Sequence, residues 1–290
     1  MTPSREQRLR SLAPRDAARL SALLAARAVQ NVVLDHIVRN GALGRVPGLY
    51  GWDDARGLGG VLMVGALGAS WIDARDPDIP AVLALDASRL SLPPRQLSGP
   101  EVAAAAFARA YRPHIAAIRW ERREHVYVTD RARRAGRAHH AHPRPKLELR
   151  RARTRDVEGV IARSAIQHIH DLREDRRAQD PAGFDRRHRE DVEQGRWWVA
   201  ETERGITFQV HVGAQSAETI QIAGVFTSEA ERGRGYATAA LGDLVDRLLR
   251  DHAAVSLCCA EGNHAARRLY ERVGFETRAF NNSFLFDLIG

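Results

Sequence analysis

Helix-like and strand-like runs follow the same order twice along the chain. This predicts an α/β (α+β) protein of two tandem lobes, each a mixed, mostly antiparallel sheet flanked by helices. Three observations carry the prediction. Both halves read as a helix pair, antiparallel strands, a helix and a strand. Ile206, Phe208, Val210 and Val212 alternate cleanly, as one face of a half-buried strand does. Between the halves, Asp130 to Lys146 is rich in Arg, His and Pro and has no apolar periodicity, so it reads as a linker or exposed loop. The expected division is therefore 1–129, 130–146 and 147–290, a structural duplication with little sequence identity.

In the first half, Asp16 to Ala28 has helical spacing through Leu20, Leu23 and Leu24. A second helix is expected from Asn31 to Val38, ending near Asn40 and Gly41. Strand-like runs follow at Gly48 to Trp52, Val61 to Ile72 and Ala81 to Leu85. Ser98 to Glu101 opens another helix, with Pro100 suited to its first turn. The strand His125 to Thr129 closes this half. In the second half Leu147 to Arg151 alternates as a strand, and Thr154 is expected to cap a helix that buries Val157, Val160 and Ile161. Asp180 and Pro181 start a helix that stops at Gly195. Strands are expected at Trp197 to Glu201, Ile206 to Gly213 and Thr219 to Thr227. A glycine-rich turn and a long helix come next. The strand Ala254 to Cys259, a short helix and a last strand at Ser283 to Leu288 complete the chain.

Composition narrows the function classes. Apolar residues make up 44% and charged residues 28%, the balance of a globular domain rather than a disordered one. Cys258 and Cys259 are adjacent, cannot frame a disulfide scaffold, and fit a reducing cytoplasm. No secretory signal is expected at the start of the chain, and the longest apolar stretch, Gly59 to Ile72, is glycine-broken and too short to span a bilayer. No membrane partner is expected. The formal charge of +8 raises nucleic-acid binding, but it is almost all arginine, with Lys146 the single lysine. The arginines are scattered among acids, as from Asp171 to Arg177, so no nucleic-acid partner is expected either. His139, His140 and His142 have no Cys or acidic companion, so no metal site is expected there.

Two segments carry chemistry. From Ile222 a strand runs into a turn at Arg232, Gly233, Arg234 and Gly235, followed by a helix with Ala237, Leu241, Leu244, Val245 and Leu248 on one face. The two glycines let successive backbone N–H groups converge at a helix N-terminus, where the dipole favours an anion such as a pyrophosphate. Arg232 and Arg234 add positive charge. A tight strand-to-helix turn without a ligand would use the same residues. Further on, Asn263 is a natural N-cap, Ala266, Leu269 and Val273 form a buried stripe, and Gly274 is a natural C-cap. Tyr270 lies two turns into that helix, where spacing alone also allows a core aromatic.

Taken together, Arg232, Gly235 and Ala237, the apolar helix after them, and the run Asn263, Ala266, Leu269, Tyr270, Gly274 and Phe275 resemble the GNAT acetyltransferase superfamily. The order and spacing match as well as the residues, over roughly Leu147 to Leu288. The whole chain resembles a bacterial group of two-domain proteins in which a divergent GNAT-like domain precedes a typical one. The N-terminal matches are Ala28 to Val33 and Leu49 to Trp52.

The resemblance implies an N-acyltransferase that uses acetyl-CoA or another acyl-CoA as co-substrate. Backbone amides of Arg232, Gly233, Arg234, Gly235, Tyr236 and Ala237 would bind the pyrophosphate, with Thr238 assisting. Val225, Phe226 and Thr227 would pair with the pantetheine arm, a backbone N–H there polarising the thioester carbonyl. Asn263 would contact CoA near its β-alanine segment, and Tyr270 would protonate the leaving thiolate. The acceptor, a small-molecule or protein amine, would attack directly, which leaves Cys258 and Cys259 to strand packing. Glu218 and Gln221 lie near the strand that carries the general base in some relatives; Glu201, His168, His170 and His211 are further candidates. The segment His168 to Asp175 should lie over the acceptor side. In the first half the turn Arg95 to Glu101 has no cradle, because Pro100 removes an N–H, so one CoA site per chain is expected. A non-catalytic acyl-CoA-binding protein on the same fold is the alternative. Oligomeric state cannot be read from the sequence.

Overall fold

The computed structural model describes residues 9–41, 43, 48–137 and 147–289. In chain order the first half contains β1 (Arg10–Ser11), α1 (Ala17–Ala25), α2 (Val32–Arg39), β2 (Leu49–Asp54), β3 (Gly57–Val64), β4 (Ala69–Ala74), α3 (Ile79–Ala87), β5 (Gln96–Pro100), α4 (Glu101–Tyr111), β6 (Ile115–Asp130) and α5 (Arg131–Arg137). The second contains β7 (Leu149–Arg151), α6 (Val157–Leu172), α7 (Arg176–Gln179), α8 (Pro181–Glu193), β8 (Trp197–Thr202), β9 (Gly205–Gln215), β10 (Thr219–Thr227), α9 (Tyr236–Asp251), β11 (Ala254–Ala260), α10 (His264–Val273) and β12 (Glu276–Leu288).

Among the described residues the strands form one sheet, ordered β1-β2-β3-β4-β5-β12-β6-β11-β10-β9-β8-β7. The two ends mirror one another. Each has an antiparallel run (β1 to β4, β7 to β10) whose last strand pairs in parallel with the next one, β4 with β5 and β10 with β11. The halves then exchange their last long strands. β12, the C-terminal strand, pairs with β5 of the first half, while β6 pairs with β11 of the second. β6 and β12 run antiparallel to each other along the middle of the sheet. The pairing therefore crosses the division expected at 130–146.

Charge satisfaction shows why β6 tolerates so many polar side chains. Arg119 binds Asp287 on β12 and Glu174 near α7, and Arg123 binds Glu101 and Glu261. All four carboxylates come from neighbouring elements rather than from β6 itself. In the first half, the buried Asp73 on β4 accepts from Arg27 at 3.0 Å and from Asn31 at 2.6 Å, which fastens the α1–α2 connection to the sheet.

The exchanged strand also completes the first half's core. Phe286 of β12 is fully buried in the cluster that contains Leu97, Phe107 and Ile115, with its ring 5.4 Å from that of Tyr111. Phe286→Ala should cost about 3–5 kcal/mol in denaturant unfolding, the range of buried aromatic truncations. A loss below 1 kcal/mol would mean that β12 is not integral to this core.

Several sequence expectations need correction. Ala81 to Leu85 is not a strand; it lies within α3. Pro80 sits in that helix's first turn, and Ile79, Leu83, Ala84 and Ala87 are buried. A short continuous apolar run has no period that distinguishes a buried strand from a buried helix. Val61 to Ile72 is two strands joined by a turn, and β5, β6 as far as His125, and β12 before Ser283 are strands that periodicity missed. Asp156, not Thr154, closes the turn before α6: its carboxylate accepts the Arg153 N–H at 2.7 Å. The stretch after Asp130 begins with α5, where the Asp130 carboxylate accepts the Arg133 N–H at 2.9 Å. His139, His140, His142 and the rest of 138–146 lie outside the described residues.

The turn Arg95 to Glu101 is also not the counterpart of the glycine-rich turn. In the mirrored order, Arg232 to Gly235 leads from β10 into α9, so its equivalent leads from β4 into α3. That connection is Arg75, Asp76, Pro77 and Asp78. Two carboxylates and Pro77 stand there in place of the two glycines of the other turn.

Candidate active site

The turn after β10 is built for close approach. Gly233 and Gly235 have φ of 77° and 79°, which a residue with a Cβ adopts only with strain. A Cβ at Gly233 would meet nothing within 4 Å, so the surface above it is open. Gly235 is the N-cap of α9, and no side chain caps that helix. Its first-turn N–H groups therefore point outward at the positive end of a sixteen-residue helix. The arginines partly brace the loop. Arg234 binds the buried Glu231 at 3.1 Å, and Arg232 donates to the Thr227 carbonyl at 3.2 Å. What faces a ligand here is chiefly backbone.

Next to the turn the sheet opens. β10 and β11 pair only through Thr219, Ile220 and Gln221, opposite Ala254, Val255 and Ser256. Beyond Gln221 the strands part, and the pairing of β10 with β9 shifts register between Ala223 and Phe226. Gly224 sits in that bulge with φ of 60°, where a Cβ would come within 3.0 Å of the Trp197 ring. Val225, Phe226 and Thr227 are thus left with an edge free of β11. The Val225 carbonyl accepts from the Gln167 amide of α6 at 3.4 Å.

This opening leads into a cavity of about 400 Å³, within the range of small-ligand sites. Its floor is one face of the sheet. Trp71, Ser98, Ser283 and Arg122 are successive register partners across β4, β5, β12 and β6, and all four line it. Glu124 and Cys258 line it further along. Tyr270 reaches the same cavity from α10 on the other face. Its ring packs 5.9 Å from Tyr127, which pairs with Leu257 and so faces away from Cys258. Tyr270 is 7% exposed, and burial pushes its phenol well above the usual range.

Glu124 is the carboxylate in this cavity. Burial raises its pKa; Arg122 and a 3.0 Å hydrogen bond from Ser283 oppose that rise, and the field of Asp171 adds to it. Ser283 in turn bonds Ser98 at 2.9 Å, so a hydroxyl relay holds Glu124 in place. Cys258 is exposed to the cavity, where desolvation and the same carboxylate raise its thiol pKa.

Residues 166–275 match the sequence model of the acetyltransferase (GNAT) family. Within that span lie β10, the open turn, α9, β11 and α10. This part of the chain is a GNAT acetyltransferase domain. The whole chain is similar in fold to a GCN5-related N-acetyltransferase from Sphaerobacter thermophilus, with TM-score 0.62 and 18% identity, covering 100% of this chain and 98% of that one. It is similar to a tandem GNAT protein from the clavulanic acid biosynthesis pathway, with TM-score 0.59 and 18% identity over 96% and 98% of the two chains. A Drosophila protein shares the fold at TM-score 0.67 and 13% identity over 96% and 98%. No curated protein matches the sequence. Family and fold place the GNAT domain in acyl-transfer chemistry.

The remaining candidates separate by position. Asn263 caps α10 with its side-chain oxygen, which accepts the Ala266 N–H at 3.2 Å. Glu218 is exposed in the β9–β10 turn and does not line the cavity, whereas Gln221 does. Glu201 is paired with Arg150 and Arg155. His168 packs edge-on against Phe184, and burial lowers its pKa to about 4, so it is a neutral packing residue. His211 is held by Asp191 at 3.2 Å and by the Trp197 ring. His170 is exposed. Of the segment expected over the acceptor side, it is Asp171 whose charge reaches Glu124 and Tyr270. Sequence reasoning missed Glu124, Arg122 and Trp120, which all come from the exchanged strand β6. Their alternation at 120, 122 and 124 was the available signal, obscured by the arginines between and around them. Among the described residues no His, Cys, Asp or Glu cluster could hold a metal, and no helix is long and apolar enough to cross a membrane.

Proposed function

We propose that the protein is an N-acyltransferase that takes its acyl group, acetyl in the simplest case, from acyl-CoA and delivers it to an amine in a ternary complex. The observation that carries this reading is the convergence of the open edge at Val225, the buried Tyr270 phenol and the Glu124 carboxyl on one cavity. The N–H groups from Gly233 to Thr238 suit the pyrophosphate of CoA, and the free edge of β10 suits an amide-bearing arm lying along it as an added strand. The amine nitrogen bonds to the acyl carbon, and its surplus proton passes to Glu124. The carbon–sulfur bond breaks, and the thiolate takes the Tyr270 proton, which solvent replaces. Glu124 thus takes the general-base role that the resemblance implied for Glu218. A cavity floored by the sheet suits a small-molecule amine better than a protein surface.

The test is CoA thiol release from acetyl-CoA with a panel of small amines, alongside calorimetric titration with CoA. CoA binding without turnover on any amine would leave only a binding protein. Gly235→Val should weaken CoA roughly tenfold or more, because valine strains at φ 79° and screens the converging amides. Arg234→Ala should do much less, since its guanidinium is half-exposed and already bound to Glu231. Unchanged affinity in a folded Gly235→Val variant would remove the phosphate site. Cys258→Ser should keep most of its turnover, because a thiol held protonated is no nucleophile. Burst release of CoA that this variant loses would indicate an acyl-enzyme route instead.

A further inference from the structure

We propose that the acceptor is an amino acid, with its carboxylate bound by Arg122 and its amine delivered to Glu124; this rests on the acyl-transfer reading above. Strand β6 carries three neighbouring arginines of different fate. Arg119 and Arg123 are each paired with two carboxylates from other elements. Arg122 has no carboxylate partner among the described residues. Its guanidinium lies instead over the Trp120 ring, 4.2 Å from the centroid, on the cavity wall. Glu124 acts on it through space but does not pair with it directly, and a half-buried cation without a direct partner is costly. Stacking on an aromatic face orients the guanidinium without using up its fork of N–H donors.

The cation and the base share a face two residues apart, yet they do not pair with each other. Alternate residues on a strand face are about 7 Å apart. The Arg122 head is drawn back towards Trp120, which widens the gap, while Ser283, opposite Arg122 on β12, holds the Glu124 carboxylate. A hydrogen bond of about 2.8 Å at each end leaves room for the few bonds that separate an amino group from a carboxylate. The surrounding charges agree with this polarity. Asp171 adds negative potential near Glu124, where the amine would sit, and Arg122 is the cation of the cavity lining. The amides nearby are already engaged. Gln30 donates to the Phe280 carbonyl and to Asn281, and Gln96 accepts from Arg176. That leaves the guanidinium as the group open to an anion. The site would thus be assembled from both halves of the chain, with the carboxylate clamp on the strand that the first half lends to the second.

The experiment titrates the full chain, with CoA present, against the twenty L-amino acids and the matching L-amino-acid amides, by calorimetry. At least one acid should bind about tenfold or more tightly than its amide, the scale of a charge-assisted bidentate contact. Arg122→Gln should bring that ratio to about one, and Arg122→Lys should retain part of it. Equal binding of acid and amide by the wild-type chain, an unaltered ratio in Arg122→Gln, or no binding by any member of the panel would each overturn the proposal. Titration of the same samples with CoA alone separates the two readings. Intact CoA binding with failed amino-acid recognition removes only the acceptor class, whereas absent CoA binding removes the acyl-CoA reading itself.

Discussion

Glu124→Gln is expected to lower acetyl transfer by roughly 10²–10³-fold, within the span of general-base effects, with acetyl-CoA affinity little changed. Glutamine keeps the size of the side chain and can still bond Ser283, so the cavity floor is preserved. It cannot take the proton that the attacking amine must lose. The pH profile gives a second readout. Burial raises the Glu124 pKa, and the carboxyl must be ionised to act as a base. The wild-type rate should therefore fall as pH drops through that raised value, from a higher pH than an exposed glutamate would give. The variant should lose this limb along with the rate. A variant that keeps both the rate and the acid limb would take the base out of β6.

Tyr270→Phe should reduce single-turnover transfer by roughly 10²-fold, at the low end of general-acid effects, and leave acetyl-CoA binding close to wild type. The reason for the low end is energetic. A phenol raised above its usual range holds its proton at neutral pH, but it gives that proton up reluctantly to a thiolate, which is then the weaker base. Its contribution is then mainly a hydrogen bond that strengthens as charge develops on sulfur. Phenylalanine keeps the contacts with Tyr127 and Phe275, so the fold should survive. If the hydroxyl were purely structural, its loss would cost about 1 kcal/mol of stability and leave the rate constant intact. Melting temperature and single-turnover rate on one sample separate these outcomes.

The parts of the site that could be read from the chain are those built by residues close in sequence. Gly233 and Gly235 need their positive φ whatever surrounds them, and the helix after them follows from its own apolar stripe. Asn263, Tyr270 and Gly274 belong to a single short helix with its caps, so that cap, buried face and stop occupy twelve consecutive positions. Local geometry determines such features, so the turn, α10 and the strand at Thr219 to Thr227 lie where the sequence puts them. The duplicated order of elements was legible for the same reason, although α3 hid inside an apolar run with no period.

Tertiary structure alone decided what stands opposite them. Whether β6 stays with its own half or crosses to β11 depends on partners more than a hundred residues away, and nothing in Arg119 to Glu124 declares which carboxylates will neutralise it. That crossing places Glu124 and Arg122 in the cavity. It also leaves Glu218, a plausible base by register in the sequence, in an exposed turn. The parting of β10 from β11 beyond Gln221 is equally non-local, since it follows from how two strands and the Gly224 bulge pack against Trp197. The raised pKa of Glu124 belongs to the same class, because desolvation is a property of the assembled cavity and not of the residue.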